Sequence, residues 1–249
     1  MAWAFVNVGG RAAGNNSSSL TANLYTNNAA GDLMVIVAYA RGTGTTAPKS
    51  PTTPTDWSEA ARYDGSYTYG HIAVFYKVHD GSESNTAVDF SGTGGSGSSE
   101  MVAMFGFTGN HPTQASVLGT VGSDSYWSAA QDIGPVTGLT PADSDCLLLV
   151  LAARQQDMGT NGDSTVVSVL SGDSQTFYEI FETGTTIGSD CGIVVDYAFM
   201  TGTPTITDKT FTNSDTQTAA GCGMMVTFKP DPNLYVSVAD AFRNKEALD

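Results

Sequence analysis

Basic residues are scarce in this chain. Lysine and arginine number 10 together, against 25 aspartates and glutamates, which gives a formal net charge of −15. Charged residues of both signs make up 14% of the sequence, below the roughly 25% of ordinary soluble domains. Because nucleic acids and membrane surfaces are anionic, we predict that the protein binds neither. A self-repelling surface or a basic partner is compatible with this charge.

Cysteine and long apolar runs are scarce as well. The three cysteines, Cys146, Cys191 and Cys222, cannot all pair within one chain, and their spacing matches no zinc site. We interpret them as small buried strand residues rather than as a Cys191–Cys222 disulfide. The longest apolar run, residues 146–153, is far shorter than the ~20 residues that a membrane-spanning helix needs.

Glycine is abundant, at 28 of 249 residues, and serine and threonine are frequent. This composition is typical of many short strands joined by tight turns, so we predict an all-β protein. The length suits one large all-β domain or two small ones.

The stretch around which the chain is organised is the apolar run 33–40, which follows a Gly31-Asp32 turn pair and ends at Arg41. The run is short, β-branched and flanked by turn residues, which favours a strand buried on both faces over a helix. Residues 144–154 repeat its form, from Asp145 to Arg154, at an offset of 113.

Further matches recur at a second offset, 121 residues. They are Ile72 with Ile193, Tyr76 with Tyr197, Gly81 with Gly202, Phe90 with Phe211, Met104 with Met225 and Phe107 with Phe228. Two similar halves, about 20–109 and 132–229, are therefore predicted. They would supply equivalent strands, as two facing sheets of one sandwich or as two small domains. We expect an antiparallel, jelly-roll-like β-sandwich over residues 1–230, in which 72–78 and 193–199 are matching strands.

The C-terminal residues 231–249 differ from the rest. Residues 237–248 have apolar spacing typical of a helix, and Ser237 can cap its start. They are the only helical stretch that the sequence predicts. We expect an arm that docks on a neighbouring copy or another protein, with packing back on its own sandwich as the alternative. Its candidate docking residues are Leu234, Tyr235, Val238, Phe242 and Leu248.

Catalytic and metal-binding patterns are weak. Residues 92–97 match G-x-G-x-x-G, but no helix is predicted after them, so they are interpreted as a hairpin loop. The histidines, His71, His79 and His111, are interpreted as ordinary surface or strand-edge residues. Residues 157–163 hold two aspartates and an asparagine without the EF-hand spacing, which indicates a solvated turn. No cofactor or metal is predicted.

Two groups of side chains are the candidates for sugar chemistry. Glu179 and Glu182 form a close pair beside aromatic residues, and paired carboxylates can hydrolyse glycosides. Trp57, Tyr63, Tyr67 and Tyr69 surround one loop and are candidate glycan contacts. Structural tyrosines at strand ends are the competing interpretation.

Five short motifs, in this order, resemble a family of β-sandwich modules found in tailed-phage virion proteins and bacterial surface proteins. They are Ala30-Gly31-Asp32-Leu33, Pro54-Thr55-Asp56-Trp57, Phe75-Tyr76-Lys77-Val78, Gly106-Phe107-Thr108-Gly109-Asn110-His111-Pro112 and Val226-Thr227-Phe228-Lys229-Pro230. The resemblance spans residues 3–229. Asp56 stands where the family usually has glycine, and residues 231–249 have no match.

The resemblance implies a structural or adhesive module and carries over no catalytic residue. We therefore expect a virion structural protein, a capsid decoration or tail component, that contacts copies of itself and other virion proteins. The N-terminal residues 1–5 lack signal-peptide features, and reduced thiols suit assembly in the host cytoplasm. The alternatives are a carbohydrate-binding adhesin that recognises a host-surface glycan and, less favoured, an enzyme acting on polysaccharide.

Chelation tests the absence of a structural metal. We expect EDTA to leave the melting temperature unchanged, because no ligand cluster is predicted. A loss of many degrees that calcium restores would contradict this expectation.

Overall fold

A computed structural model describes residues 3–43, 46–65, 69–156, 170–185, 188, 190–213 and 218–233. Their regular structure is almost entirely antiparallel strand. The strands before residue 110 are β1 Ala4–Val8, β2 Ala12–Asn15, β3 Ser19–Ala22, β4 Leu33–Arg41, β5 Ser50–Pro51, β6 Ser58–Asp64, β7 His71–Val78, β8 Thr86–Ser91 and β9 Ser99–Thr108. After the helical turn α1 Gln114–Val117 come β10 Leu118–Val121, β11 Ser125–Ala130, β12 Ile133–Val136, β13 Leu147–Arg154, β14 Phe177–Thr185, β15 Cys191–Phe199, β16 Lys209–Phe211 and β17 Ala219–Phe228.

Two large sheets of six strands form the centre of the molecule. The first has the order β1-β9-β4-β7-β6, with β2 also paired to β9. The second has the order β10-β17-β13-β15-β14, with β11 also paired to β17. Each strand of one sheet has a counterpart at the same place in the other. The strands β7 and β15, which contain the predicted matching segments, both lie between the central strand and the edge.

The two large sheets pack face to face across one shared core. That core holds aromatic and aliphatic side chains from both sheets, and Tyr76 contacts Phe228 across it with ring centroids 5.6 Å apart. Phe107 meets Tyr197 in the same way at 5.2 Å. The predicted all-β antiparallel sandwich is therefore confirmed.

Each large sheet is also covered on its outer face, which the sequence did not predict. A small sheet in the order β3-β8-β5 covers the first, and the ladder β12-β16 covers the second. Phe90 of β8 and Phe211 of β16, which match at the offset of 121, fill these two outer cores. The molecule thus has four layers, with each half a sandwich in itself.

The central strands β4 and β13 are buried on both faces, and this explains their unbroken apolar sequences. Alternate residues of β4 point to the shared core, namely Leu33, Val35, Val37 and Tyr39. The residues between them point to the outer core, namely Met34, Ile36, Ala38 and Ala40.

The pairing of β4 and β13 with their neighbours shows that the offset of 113, taken from Asp32 and Asp145, is one residue too small. Leu33 pairs with Val78 and Phe107, whereas Leu147 pairs with the residues 121 positions further on, Phe199 and Phe228. Leu33 and Leu147 are therefore equivalent, and they are 114 residues apart. The correction matters because a shift of one residue exchanges the two faces of a strand.

A shared irregularity supports the equivalence of the halves. The pairing of β6 with β7 shifts register between Glu59 and Ala61. The pairing of β14 with β15 shifts at the corresponding place, between Glu179 and Phe181. A β-bulge at the same position of both edge strands is a feature that two unrelated sheets would not be expected to share.

The two halves end beside one another. Asn110 and Pro230 form an isolated antiparallel bridge, and the backbone N–H of His111 donates to Lys229 O at 2.9 Å. The N–H of Asp231 donates to Gly109 O, also at 2.9 Å. The last residues of the sandwich are thus fixed by the end of the first half.

One expectation about the helices is wrong. The helical turn α1 contradicts the expectation that the tail holds the only helix. The predicted helix at 237–248 lies outside the described residues. Within the part of the chain that the structure describes, no helix has the length and apolarity to cross a membrane.

Leu148→Asp tests the outer core of the second half. Leu148 is fully buried beneath the β12-β16 ladder. An unpaired carboxylate there should lower the free energy of unfolding by several kcal/mol or prevent folding. Thermal melting measures the loss, with Ala87→Asp at an exposed position of β8 as the matched control. Equal melting temperatures for the two variants would contradict the burial of Leu148 beneath the β12-β16 ladder.

Candidate functional site

Three tyrosines from the two halves meet at the surface, and we call them the tyrosine patch. Tyr63 lies near the end of β6, Tyr69 lies in the turn before β7, and Tyr126 lies in β11. Tyr126 is 60% exposed, the most exposed large hydrophobic residue of the described chain. Tyr63 and Tyr69 are half-buried.

The rings of the patch form a stepped surface. The Tyr63 and Tyr126 rings are nearly parallel, at 17°, with centroids 6.0 Å apart. The planes of two rings in van der Waals contact are about 3.5–4.0 Å apart. With that separation, a centroid distance of 6.0 Å corresponds to a sideways displacement of the rings by roughly 4.5–5 Å. The Tyr69 ring lies 4.9 Å from that of Tyr126 and is tilted by 40°. The patch is therefore wider than one aromatic ring.

Local sequence sets the position of each tyrosine. In β11, Ser125 and Trp127 are buried and Tyr126 between them points outward, as strand alternation requires. The buried Tyr39 hydroxyl donates to the backbone oxygen of Tyr69 at 3.2 Å. Gly70, at φ +84°, lies so close to the Tyr39 ring that a Cβ would overlap it. The turn that carries Tyr69 thus rests directly on the shared core.

The carboxylate of Asp124 accompanies the patch, and that of Asp64 lies on the opposite face of β6 from Tyr63. Asp64 follows Tyr63, accepts a hydrogen bond from Ser50 Oγ at 3.0 Å, and lies 3.6 Å from the guanidinium of Arg62. Burial, and then the charge of Asp64, raise the pKa of Asp124. Burial also raises the pKa of Tyr63 to about 12, with smaller contributions from the Cys222 thiol, the other two tyrosines and Asp124. The patch is therefore an aromatic surface with an acidic border.

The predicted aromatic group is corrected at one position. Trp57 does not lie with Tyr63 and Tyr69, because it is buried in the outer core of the first half. Tyr67 lies outside the described residues. Tyr126 was missed, because it is 57 residues from the nearest predicted member and only the packing of the two halves brings it there. The sequence feature that could have identified Tyr126 is its outward-facing position in the strand segment Ser125-Tyr126-Trp127-Ser128.

The predicted pair of glutamates lies beside a buried carboxyl group. Glu179 pairs in register with Asp196 of β15, and Glu182 is three residues further along β14. Asp196 is 1% exposed and accepts a hydrogen bond from the Leu170 N–H at 2.8 Å. Its Oδ1 has no hydrogen-bond partner among the described residues. Burial, with smaller contributions from the charges of Glu179 and Glu182, raises the pKa of Asp196 to about 7, against the lowering effect of the Leu170 hydrogen bond.

Asp196 cannot serve as one of the two carboxyl groups of a glycosidase site. Such a site needs two carboxyl groups that both face the scissile bond. Asp196 is covered by protein and points to the outer core side of β15, so a substrate cannot reach it. The group titrates near neutral pH without access to a ligand.

The three histidines organise local turns. His71 directs its two ring nitrogens at the backbone oxygens of Lys49 and Gly65, at 3.1 and 2.9 Å. His79 Nδ1 accepts from the Gly81 N–H, and His111 Nδ1 accepts from the Thr113 N–H. Within the described ranges, no group of three or more His, Cys, Asp or Glu side chains could hold a metal ion. The proposed solvated turn at 157–163 lies outside those ranges.

The remaining sequence motifs have structural explanations. Residues 92–97 connect β8 to β9, a strand rather than a helix. Because β8 belongs to a small sheet and β9 to a large one, this loop crosses between sheets, and the predicted hairpin is wrong. All three cysteines are buried, as predicted. Cys191 and Cys222 lie on the strands that flank β13 on opposite sides, so at least two strand spacings, about 9.5 Å, separate them. A disulfide cannot span that distance.

A cavity of about 550 Å³ lies where the chain leaves the sandwich. It is lined by His111, Asp143, Ser144, Asp145, Lys229, Pro230 and Pro232. Lys229 Nζ and Asp143 Oδ2 are 3.4 Å apart in it. The predicted docking residues of the tail, Leu234, Tyr235, Val238, Phe242 and Leu248, lie outside the described residues.

Comparison with known proteins found no matching family, no similar curated protein and no similar solved structure.

Asp196→Asn tests the buried carboxyl group. Since the folded state raises this pKa from 3.8 to about 7, the protonated group stabilises the fold below pH 4, and that stability is lost as the pH rises through 7. The variant should not show this loss. Relative to the wild type, its free energy of unfolding should improve by on the order of 4 kcal/mol between pH 4 and pH 8.

Urea denaturation across this pH range measures the difference, with Asp89→Asn, at an exposed position of β8, as the control. Parallel pH profiles for the wild type and Asp196→Asn would contradict the proposed titration.

Proposed function

We propose that this protein is a structural component of a tailed-phage virion, exposed on the particle as a capsid decoration or tail-associated protein. The proposal rests on where the five family-like motifs lie. Each lies on a strand of the sandwich or on a turn next to one, rather than on an arbitrary part of the surface.

The position of Asp56 supports the resemblance where the sequences differ. The family usually has glycine there, and Asp56 has φ +65°, in the left-handed region that glycine adopts most easily. The Trp57 N–H donates to Pro54 O at 3.2 Å, which closes the turn and directs Trp57 into the outer core. The turn therefore has a backbone conformation that glycine adopts easily. This explains why glycine is usual at this position in the family that the chain resembles.

The turn before β4 has an equally specific structure. Gly31 has φ +95°, and the Asp32 carboxylate accepts from the Ala29 N–H at 2.9 Å and from the Tyr25 hydroxyl at 3.3 Å. These bonds fix the entry into the central strand. The motif Ala30-Gly31-Asp32-Leu33 thus supports the same kind of module.

The C-terminal arm supplies the proposed attachment. The pairing of His111 with Lys229 and of Asp231 with Gly109 fixes the exit from the sandwich. The described part of the chain therefore ends at a defined place, beside the end of the first half. We propose that Leu234, Tyr235, Val238, Phe242 and Leu248 dock on a neighbouring copy or another virion protein.

A carbohydrate-binding adhesin is the second candidate, because the tyrosine patch presents Tyr126 at 60% exposure beside the carboxylate of Asp124. The two functions are compatible, since an exposed virion protein is placed to meet a host-surface glycan. An enzyme acting on polysaccharide has less support. Near the candidate pair Glu179 and Glu182, Asp196 is the carboxyl group whose pKa is most altered, and a substrate cannot reach it.

Labelling of particles tests the virion proposal. Antibodies against the purified protein should label intact particles of the phage whose genome encodes it, and the labelled site should distinguish capsid from tail. Disrupted cells without particles are the control. Failure to label particles that are otherwise intact would overturn the proposal.

Truncation after Pro230 tests the arm. The truncated protein should keep its melting temperature but fail to join particles when it competes with the full-length chain in equal amounts. The reason is that the apolar residues of the arm would contact a partner rather than their own core. A sharp loss of melting temperature would instead assign the arm to its own sandwich.

A further inference from the structure

Two tyrosines, Tyr126 and Tyr178, are largely exposed in the described part of the chain, and their surroundings differ. Tyr178 is 48% exposed and stacks on Tyr197, whose ring contacts Phe5 and Phe107 of the shared core. Tyr178 therefore extends a core aromatic row to the surface. Tyr126 instead contacts two tyrosines of the other half that are themselves partly exposed.

We infer that the tyrosine patch binds an uncharged pyranose unit of a polysaccharide. The inference rests on the second candidate function, surface display with glycan recognition, and assigns its ligand class. A pyranose presents C–H groups on one face and hydroxyl groups at its edge. The patch offers the complement of both.

The stepped rings provide the apolar half of the site. Tyr63 and Tyr126 are nearly parallel and displaced, so together they present a surface longer than one ring. Aromatic side chains provide a large, rigid contact area at a small entropic cost. The Tyr39–Tyr69 hydrogen bond and the packing of Gly70 fix part of this surface before a ligand arrives.

The acidic border provides the polar half. Asp124 is exposed and accepts hydrogen bonds when ionised, and sugar hydroxyls are donors. The same charge, together with the net charge of −15, repels sulfated, phosphorylated or carboxylated sugars. The chemistry therefore selects uncharged sugars over anionic ones.

The same charge disfavours a second copy of the chain as the occupant. An isologous contact centred on Tyr126 would bring two copies of Asp124 together, in chains that each carry a net charge of −15. Like charges across an interface oppose association. This leaves a small, uncharged, hydroxyl-rich ligand as the best complement.

Sugar binding can be tested directly on the full chain. We would screen malto-, cello- and chito-oligosaccharides and galactans, with heparin and polysialic acid as anionic probes, and titrate the best uncharged probe by calorimetry. At least one uncharged probe should bind, and the anionic probes should not. Tyr126→Ala should weaken binding about tenfold or more, because it removes the exposed ring.

Three controls make the test specific. Tyr126→Phe keeps the ring and should retain binding, and Tyr178→Ala removes the other exposed tyrosine and should leave it unchanged. The melting temperature of Tyr126→Ala should stay close to that of the wild type, since the side chain is mostly exposed.

Other outcomes would overturn the inference. These are no uncharged probe binding at millimolar concentration, equal losses for Tyr126→Ala and Tyr178→Ala, or a change of oligomeric state in Tyr126→Ala without sugar binding. Particle labelling is independent of this experiment, so failure here and failure of the virion proposal can be told apart.

Discussion

The shared core between the two large sheets is the constraint on which the rest of the structure depends. Because the large sheets cover one another on their inner faces, their outer faces also need cover, and the small sheets provide it. Burying β4 and β13 on both sides leaves no position in either strand for a solvated side chain. In β4, the side chains of Leu33, Val35 and Val37 are buried in the shared core, and those of Met34 and Ile36 are buried in the outer core of the first half.

The shared core also limits where function can lie. Ionisable groups beside a core have their charged forms destabilised, as the raised pKa of Tyr63 beside the shared core and that of Asp196 beside an outer core show. Asp196 is enclosed and has no access to ligand. The tyrosine patch occurs where the edge strand β6 meets β11 of the other half, so core packing orients the rings while one of them stays exposed.

Much of the fold could be predicted from the sequence, because burial on both faces leaves continuous apolar runs that are easy to recognise. The offset of 121 correctly matched β7 with β15 and β9 with β17. The one-residue error at β4 and β13 arose because both faces of these strands are apolar, so hydrophobicity alone does not fix their register. The exposed partner Tyr126 could not be found, since proximity between distant strands is set by packing rather than by local pattern. Trp57 was misassigned for the same reason.

The strand pairings also show which residues lie at each end of the molecule. Leu33, Val78 and Phe107 pair at the end where Ala4 enters beside Thr108 and where Lys229 leaves beside His111. Tyr69 and Tyr126 lie towards the opposite end, with Tyr126 paired to Cys222. Cys222 and Phe228 are six positions apart in β17, which is roughly 20 Å along a strand. The first strand and the last described residues, 229–233, therefore lie at one pole of the protein, so a partner bound at that pole would leave the tyrosine patch uncovered.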